Sequence, residues 1–107
     1  MIGGESVETR EVSIEWEGKQ VTVVLKKMKW GDKADMLNYA IGKMKVLGGE
    51  IPQMEIDVAK FKEGLVKYSI SSAPFEVTAE NLRKIDGKDF DELFKVAQEL
   101  NPFRNLF

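Results

Sequence analysis

A chain of 107 residues, 43% hydrophobic and 32% charged, holds enough material for one folded domain with a modest core, and this balance excludes wholesale disorder. With 16 basic and 18 acidic residues the net charge is −2, so there is no bulk cationic field to hold nucleic acid. The absence of Cys excludes disulfides, thiol catalysis and thiolate metal ligation, and the absence of His removes the usual general base and the commonest metal ligand.

No apolar run approaches the roughly 20 residues that span a membrane. The opening stretch MIGGESVETREV lacks a basic leader followed by an apolar region, so a cytoplasmic protein without membrane contact is expected.

Residues 1–8 read as a flexible polar lead containing Gly3-Gly4. Val12, Ile14 and Trp16 then alternate with polar residues, and Val21, Val23 and Leu25 repeat the pattern, predicting a hairpin from about 11 to 28. A two-residue loop at Gly18-Lys19 would pair Trp16 with Val21, Ile14 with Val23 and Val12 with Leu25; a longer loop centred on Glu17-Gly18 is the alternative. Two strands alone are marginal, so the hairpin must pack on helices or join another strand.

Asp32 is a plausible cap for a helix over 33–46, marked by Met36, Leu37, Ala40, Ile41, Met44 and Leu47. Trp30 either folds back over that helix start as a hydrophobic staple or serves as a partner-binding anchor. Met28, Met36 and Met44 read as core filler, and Lys26, Lys27, Lys29 and Lys33 as a solvated strand end and helix start. Gly48-Gly49 should end the helix, leaving GGEIPQMEI as an irregular connection whose Ile51, Met54 and Ile56 tuck down or meet a partner.

The longest predicted helix follows Asp57, with Val58, Phe61, Leu65, Val66, Tyr68 and Ser72 on its apolar side and fraying at Ser71-Ser72 ahead of Pro74. Gly64 costs that helix about 1 kcal/mol of propensity relative to Ala, a loss for tertiary packing to offset. Thr78 caps a short helix over 79–85 that Asp86-Gly87 breaks. Asp89 opens the last helix with Glu92 in a capping-box arrangement, its apolar residues being Phe90, Leu93, Phe94, Ala97 and Leu100. Asn101-Pro102 stops it. The expected fold is therefore α+β: an N-terminal β-hairpin packed against a small bundle of three main helices plus one short helix, in a single domain spanning 1–107.

No constellation here carries a reaction. The acidic pairs Asp32/Asp35, Glu55/Asp57 and Asp89/Asp91/Glu92 sit at predicted helix starts, where capping and the helix dipole explain them. The run DGKDFDE lacks the ligand order of a calcium loop, and neither Gly-Gly stretch carries a phosphate-loop signature. No catalytic residue, cofactor or metal is expected. Trp16, Tyr39, Tyr68 and Phe75 fall in apolar patterns rather than on an exposed platform, so RNA binding is not expected, nor is DNA binding.

The remaining apolar concentration is Phe103, Leu106 and Phe107, with Arg104 and Asn105 between them. This 103–107 tail packs back on the core, enters a second copy, or holds another protein. Candidate interaction residues are thus Trp30, Ile51, Met54, Phe103, Arg104, Leu106 and Phe107.

In the order of its elements, through LKKMKWGDKADML, DVAKFKEGLVKYSISSAP, VTAENLRKI and DFDELFKVAQELNPF, the chain resembles the tail assembly chaperones of tailed bacteriophages, prophages and related archaeal viruses. The resemblance spans about 21–102 and rests on helix order, on Trp30-Gly31 at the first helix and on the Leu100-Asn101 ending. It implies a non-enzymatic assembly chaperone that keeps a tape-measure-type tail protein soluble, with a phage-like structural protein or its own copies as partners. The alternatives are a structural virion or head-tail connector subunit and, third, an RNA-binding module.

Overall fold

The computed structural model describes residues 8–45, 53–56 and 58–102, with 41–45 and 53–56 described as backbone alone. In chain order the elements are β1 (Thr9–Trp16), β2 (Lys19–Lys26), α1 (Trp30–Ala40), β3 (Ile41–Lys45), β4 (Gln53–Ile56), α2 (Val58–Ser69), β5 (Ile70–Ser72), α3 (Ala79–Leu82) and α4 (Gly87–Leu100). The architecture is the expected α+β arrangement, a β-hairpin packed on helices. β5 adds a third strand to the free side of β2, giving the order β1-β2-β5, and β3 and β4 pair as a separate two-stranded ribbon.

The hairpin closes through Glu17 and Gly18, with φ of 51° and 78°, so both central residues are left-handed, as a type I′ turn requires. Trp16 therefore faces Lys19, Ile14 faces Val21, Val12 faces Val23 and Arg10 faces Leu25, which corrects the pairing expected from a Gly18-Lys19 loop. The correction moves each partner by two residues. Because side chains alternate with period two, the apolar face survives the change. Val12, Ile14, Val23 and Leu25 are all buried on it.

That face meets Leu65 and Val66 of α2, Leu82 of α3, Ile85, and Leu93, Val96, Ala97 and Leu100 of α4 in one core, with Met28 and Met36 filling its α1 side. α4 lies along β1, pinned near both ends. The Glu15 N–H donates to Asp89 Oδ2 at 3.0 Å, and Arg10 meets Glu99 Oε1 at 2.8 Å. From Asp89 to Glu99 the helix rises about 15 Å, and from Arg10 to Glu15 the strand runs about 17 Å, so the two elements keep pace.

α1 is shorter than its periodicity implied. It begins at Trp30, ends at Ala40 and passes without a loop into β3, so the helix expected over 33–46 is corrected to 30–40. The apolar spacing of Ile41 and Met44 fits a helix, but β-branched Ile41 also suits a strand, and pairing with β4 supplies the backbone bonds a helix would have made. Gln53–Ile56, expected to be irregular, is that partner strand. Gly48-Gly49, Ile51 and Asp57 lie outside the described residues, and Met54 sits on β4.

Asp32 is a first-turn residue rather than the cap. Its carboxylate accepts from the Lys29 N–H at 3.3 Å, the reach-back half of a capping box, and lies 3.6 Å from Lys26 Nζ. α2 ends at Ser69, and 70–72 leaves the helix to pair with β2, Leu25 opposite Ile70 and Val24 opposite Ser72. Fraying toward Pro74 is thus replaced by a short strand.

Thr78 caps α3 as expected, its hydroxyl accepting from Asn81 N at 3.1 Å, but the helix stops at Leu82. Asp86 caps α4 through Lys88 N at 3.1 Å and Gly87 is its first residue, which corrects the placement of that start at Asp89. Asp89 is instead the residue that holds β1.

Candidate interaction surface

Trp30 is the first residue of α1 and is 74% exposed. An indole so open covers no helix start, so the staple reading is overturned by the geometry. Lys33, one turn on, shares its side of the helix, and Lys27 and Lys29 are exposed just before it. Asp32 and Asp35 are the nearby carboxylates on α1. The result is a solvent-facing aromatic on a lysine-rich stretch, with Lys27 and Lys29 exposed ahead of it and Lys33 half-buried one turn on.

At the opposite end of the hairpin a cleft of about 660 Å³ opens between the β1–β2 turn and the start of α4. Glu15, Glu17, Asp86 and Asp89 line it, with Trp16 as a wall and Lys84 as its cation. Two of these carboxylates are fixed by backbone donors, Asp86 by Lys88 N and Asp89 by Glu15 N. Trp16 is held by stacking on Phe75, ring centroids 4.3 Å apart.

A second, apolar groove of about 290 Å³ runs between α2, α3 and the first turn of α4, floored by Ala59, Leu82, Ile85 and Phe90 with Lys62 and Asp91 among its edges. Beside it Glu63 is buried at 8% exposure, though its position in the sequence placed it outside the apolar stripe. Arg83 Nε donates to it at 2.6 Å and the Tyr39 hydroxyl at 3.3 Å, which offsets the cost of burying the charge. Burial, with Glu63 alongside, raises the Tyr39 phenol above its ordinary value of 10.0. Lys67 Nζ lies 5.2 Å from the Tyr39 ring and 5.4 Å from Tyr68. This cluster locks α1, α2 and the end of α3 together.

Among the described residues no group of three or more Asp or Glu is placed to hold a metal ion, and no helix is long and apolar enough to cross a membrane. Of the residues singled out from sequence, Trp30 is found on the surface and Met54 on the ribbon. Ile51, Phe103, Arg104, Leu106 and Phe107 lie outside the described residues. Sequence reasoning did not find the acidic cleft, because its members are separated by some seventy residues and meet only when α4 lies along β1. The signal it offered was the pair of acidic turns, at Glu15–Glu17 and Asp86–Asp89. No family model, curated protein or solved structure matches the chain.

Proposed function

We propose that the chain is a non-enzymatic protein-binding module used in assembly, and in particular a tail assembly chaperone that holds a phage-like tape-measure protein in the cytoplasm until tail subunits reach it. The observation that carries a binding role is the open indole of Trp30 among lysines, since Trp exposed to this degree costs solvation and is enriched where partners anchor. The chaperone form of that role rests on the order of helices that follows the hairpin. Co-expression with a long coiled-coil tape-measure protein tests it. Recovery of that protein in soluble form only when the folded chain is present supports the reading, and equal insolubility with and without the chain overturns it. A structural subunit would instead remain in purified particles, which separates that alternative directly.

A further inference from the structure

The Trp30 patch and the Trp16 cleft stand at opposite ends of the same strand. β2 begins at Lys19 beside the cleft and ends at Lys26 beside the patch, a run of about 23 Å. Within one molecule the two cannot meet. Yet they are complementary: one is an exposed aromatic with Lys27 and Lys29 exposed just ahead of it and Lys33 one turn on, the other a concave site lined by four carboxylates and one amine.

We propose that the Trp30 patch docks into the Glu15–Glu17–Asp86–Asp89 cleft of a second copy of this chain, forming a head-to-tail contact. Charge complementarity selects this occupant. The molecule as a whole is acidic, and Asp32 and Asp35 flank the patch, which disfavours a continuous polyanion such as RNA while leaving a compact acidic site acceptable. A contact joining two different faces is heterologous, so it propagates into a ring or an open filament rather than stopping at a symmetric dimer. The Lys84 amine within the cleft opposes docking, and Asp86 and Asp89, held in place by backbone donors, present their charge without reorganisation. The inference rests on the same exposed Trp30 as the proposed binding role, but its test reads self-association of the purified chain, so it fails or stands separately from the tape-measure co-expression.

Light scattering and sedimentation of the purified chain test it. The wild type is expected to grow in mass with concentration and to revert toward monomer as salt rises from about 0.01 to 1 M, which shortens the Debye length from about 30 to 3 Å. A patch-deficient variant, Trp30→Ser with Lys29→Ser, and a cleft-deficient variant, Glu15→Gln with Glu17→Asn, should each be folded by circular dichroism and monomeric. Both alter exposed side chains, and Asn tolerates the left-handed backbone at 17. Mixed in equal amounts, they retain one good patch and one good cleft between them, and should form a heterodimer that grows no further. A wild type that stays monomeric at low salt overturns the proposal. So does association that either variant leaves unchanged, or a mixture that remains monomeric. Salt-sensitive quenching of tryptophan fluorescence by mixed-sequence single-stranded RNA that disappears in the patch-deficient variant, where Trp16 alone remains, would, without self-association, reassign the patch to nucleic acid.

Discussion

Asn101 Oδ1 accepts a hydrogen bond from the Met28 backbone N–H at 2.6 Å, joining the end of α4 to the exit of the hairpin across most of the chain. The same carboxamide donates to Lys26 O and Ser69 Oγ, each at 3.1 Å, and to Ala97 O at 3.2 Å. One buried side chain thus ties β2, α2 and α4. Asn101→Ala removes all these partners and strands the Met28 N–H away from water. Leaving such a group unmade costs about 1–3 kcal/mol, so a fall of at least that size in urea-unfolding free energy is expected, with an unchanged m-value. A loss below about 0.5 kcal/mol would mean water replaces the carboxamide.

Core truncations should separate by burial rather than by side-chain size. Leu65 and Leu93 are fully buried, whereas Phe61 and Phe94 are half-buried, the latter under the Lys62 ammonium at 5.3 Å. Leu93→Ala should cost about 2–5 kcal/mol and Phe94→Ala less than the 3–5 kcal/mol typical of a fully enclosed Phe. Paired denaturation curves give the ranking, and a larger loss at Phe94 would contradict it.

Gly64 is where α2 approaches α1. A Cβ there would lie 3.2 Å from Met36 Cγ and from Tyr39 Cδ1, and 3.5 Å from Met36 O. Alanine gains about 1 kcal/mol of helix propensity but overpacks a contact for which about 1–3 kcal/mol is typical. Gly64→Ala should therefore lose up to about 2 kcal/mol, and Gly64→Val should lose more, adding a second branch to the same gap. Thermal unfolding of the two variants checks the order.

Tyr39 predicts a pH dependence on the alkaline side alone. Its pKa is raised in the folded chain, first by burial and then by Glu63, so the native state holds the phenolic proton more tightly than the unfolded state. The stability this contributes is fully present below the unfolded value of 10.0 and is lost as pH rises through the folded value. Tyr39→Phe should flatten the decline above pH 10.0, while its lost hydroxyl bond to Glu63 lowers stability at neutral pH without giving it a slope there. Tyrosinate absorbance in Glu63→Gln should show Tyr39 titrating lower than in the wild type, because the carboxylate that raises it is gone while the Arg83 charge that lowers it stays.

Period-two alternation in 12–16 and 21–25 located the hairpin, and apolar spacing located α2 and α4. These signals are local and repeated, so an error of one residue in the turn left the buried face intact. The signals that misled were those where two structures satisfy one pattern. Ile41 and Met44 prolong the α1 stripe as well as they serve β3, and Ile70–Ser72 extends α2 until β2 offers it an edge. Val58, in register with the α2 stripe, is 66% exposed at the first residue of the helix, while Glu63, off that stripe, is buried and paired with Arg83. Trp30 was legible as a candidate but not its exposure, which depends on what does not pack against it.

The alignment of α4 with β1 also bears on how the chain reaches this state. In an antiparallel hairpin closed by Trp16 and Lys19, the backbone groups of Glu11, Ser13 and Glu15 point away from β2. The Glu15 amide there is met by Asp89, 74 residues later, and Arg10 by Glu99, 89 residues later. During synthesis the hairpin therefore emerges long before the helix that flanks it. Through that interval its outer rim can template a foreign strand, and two exposed glutamates along it, Glu11 and Glu15, set like charges against such pairing. Sequence-distant closure of this kind raises contact order, so folding of the body should be slower than its helix content suggests. Cutting the chain ahead of α4 should yield a species that aggregates through its first strand.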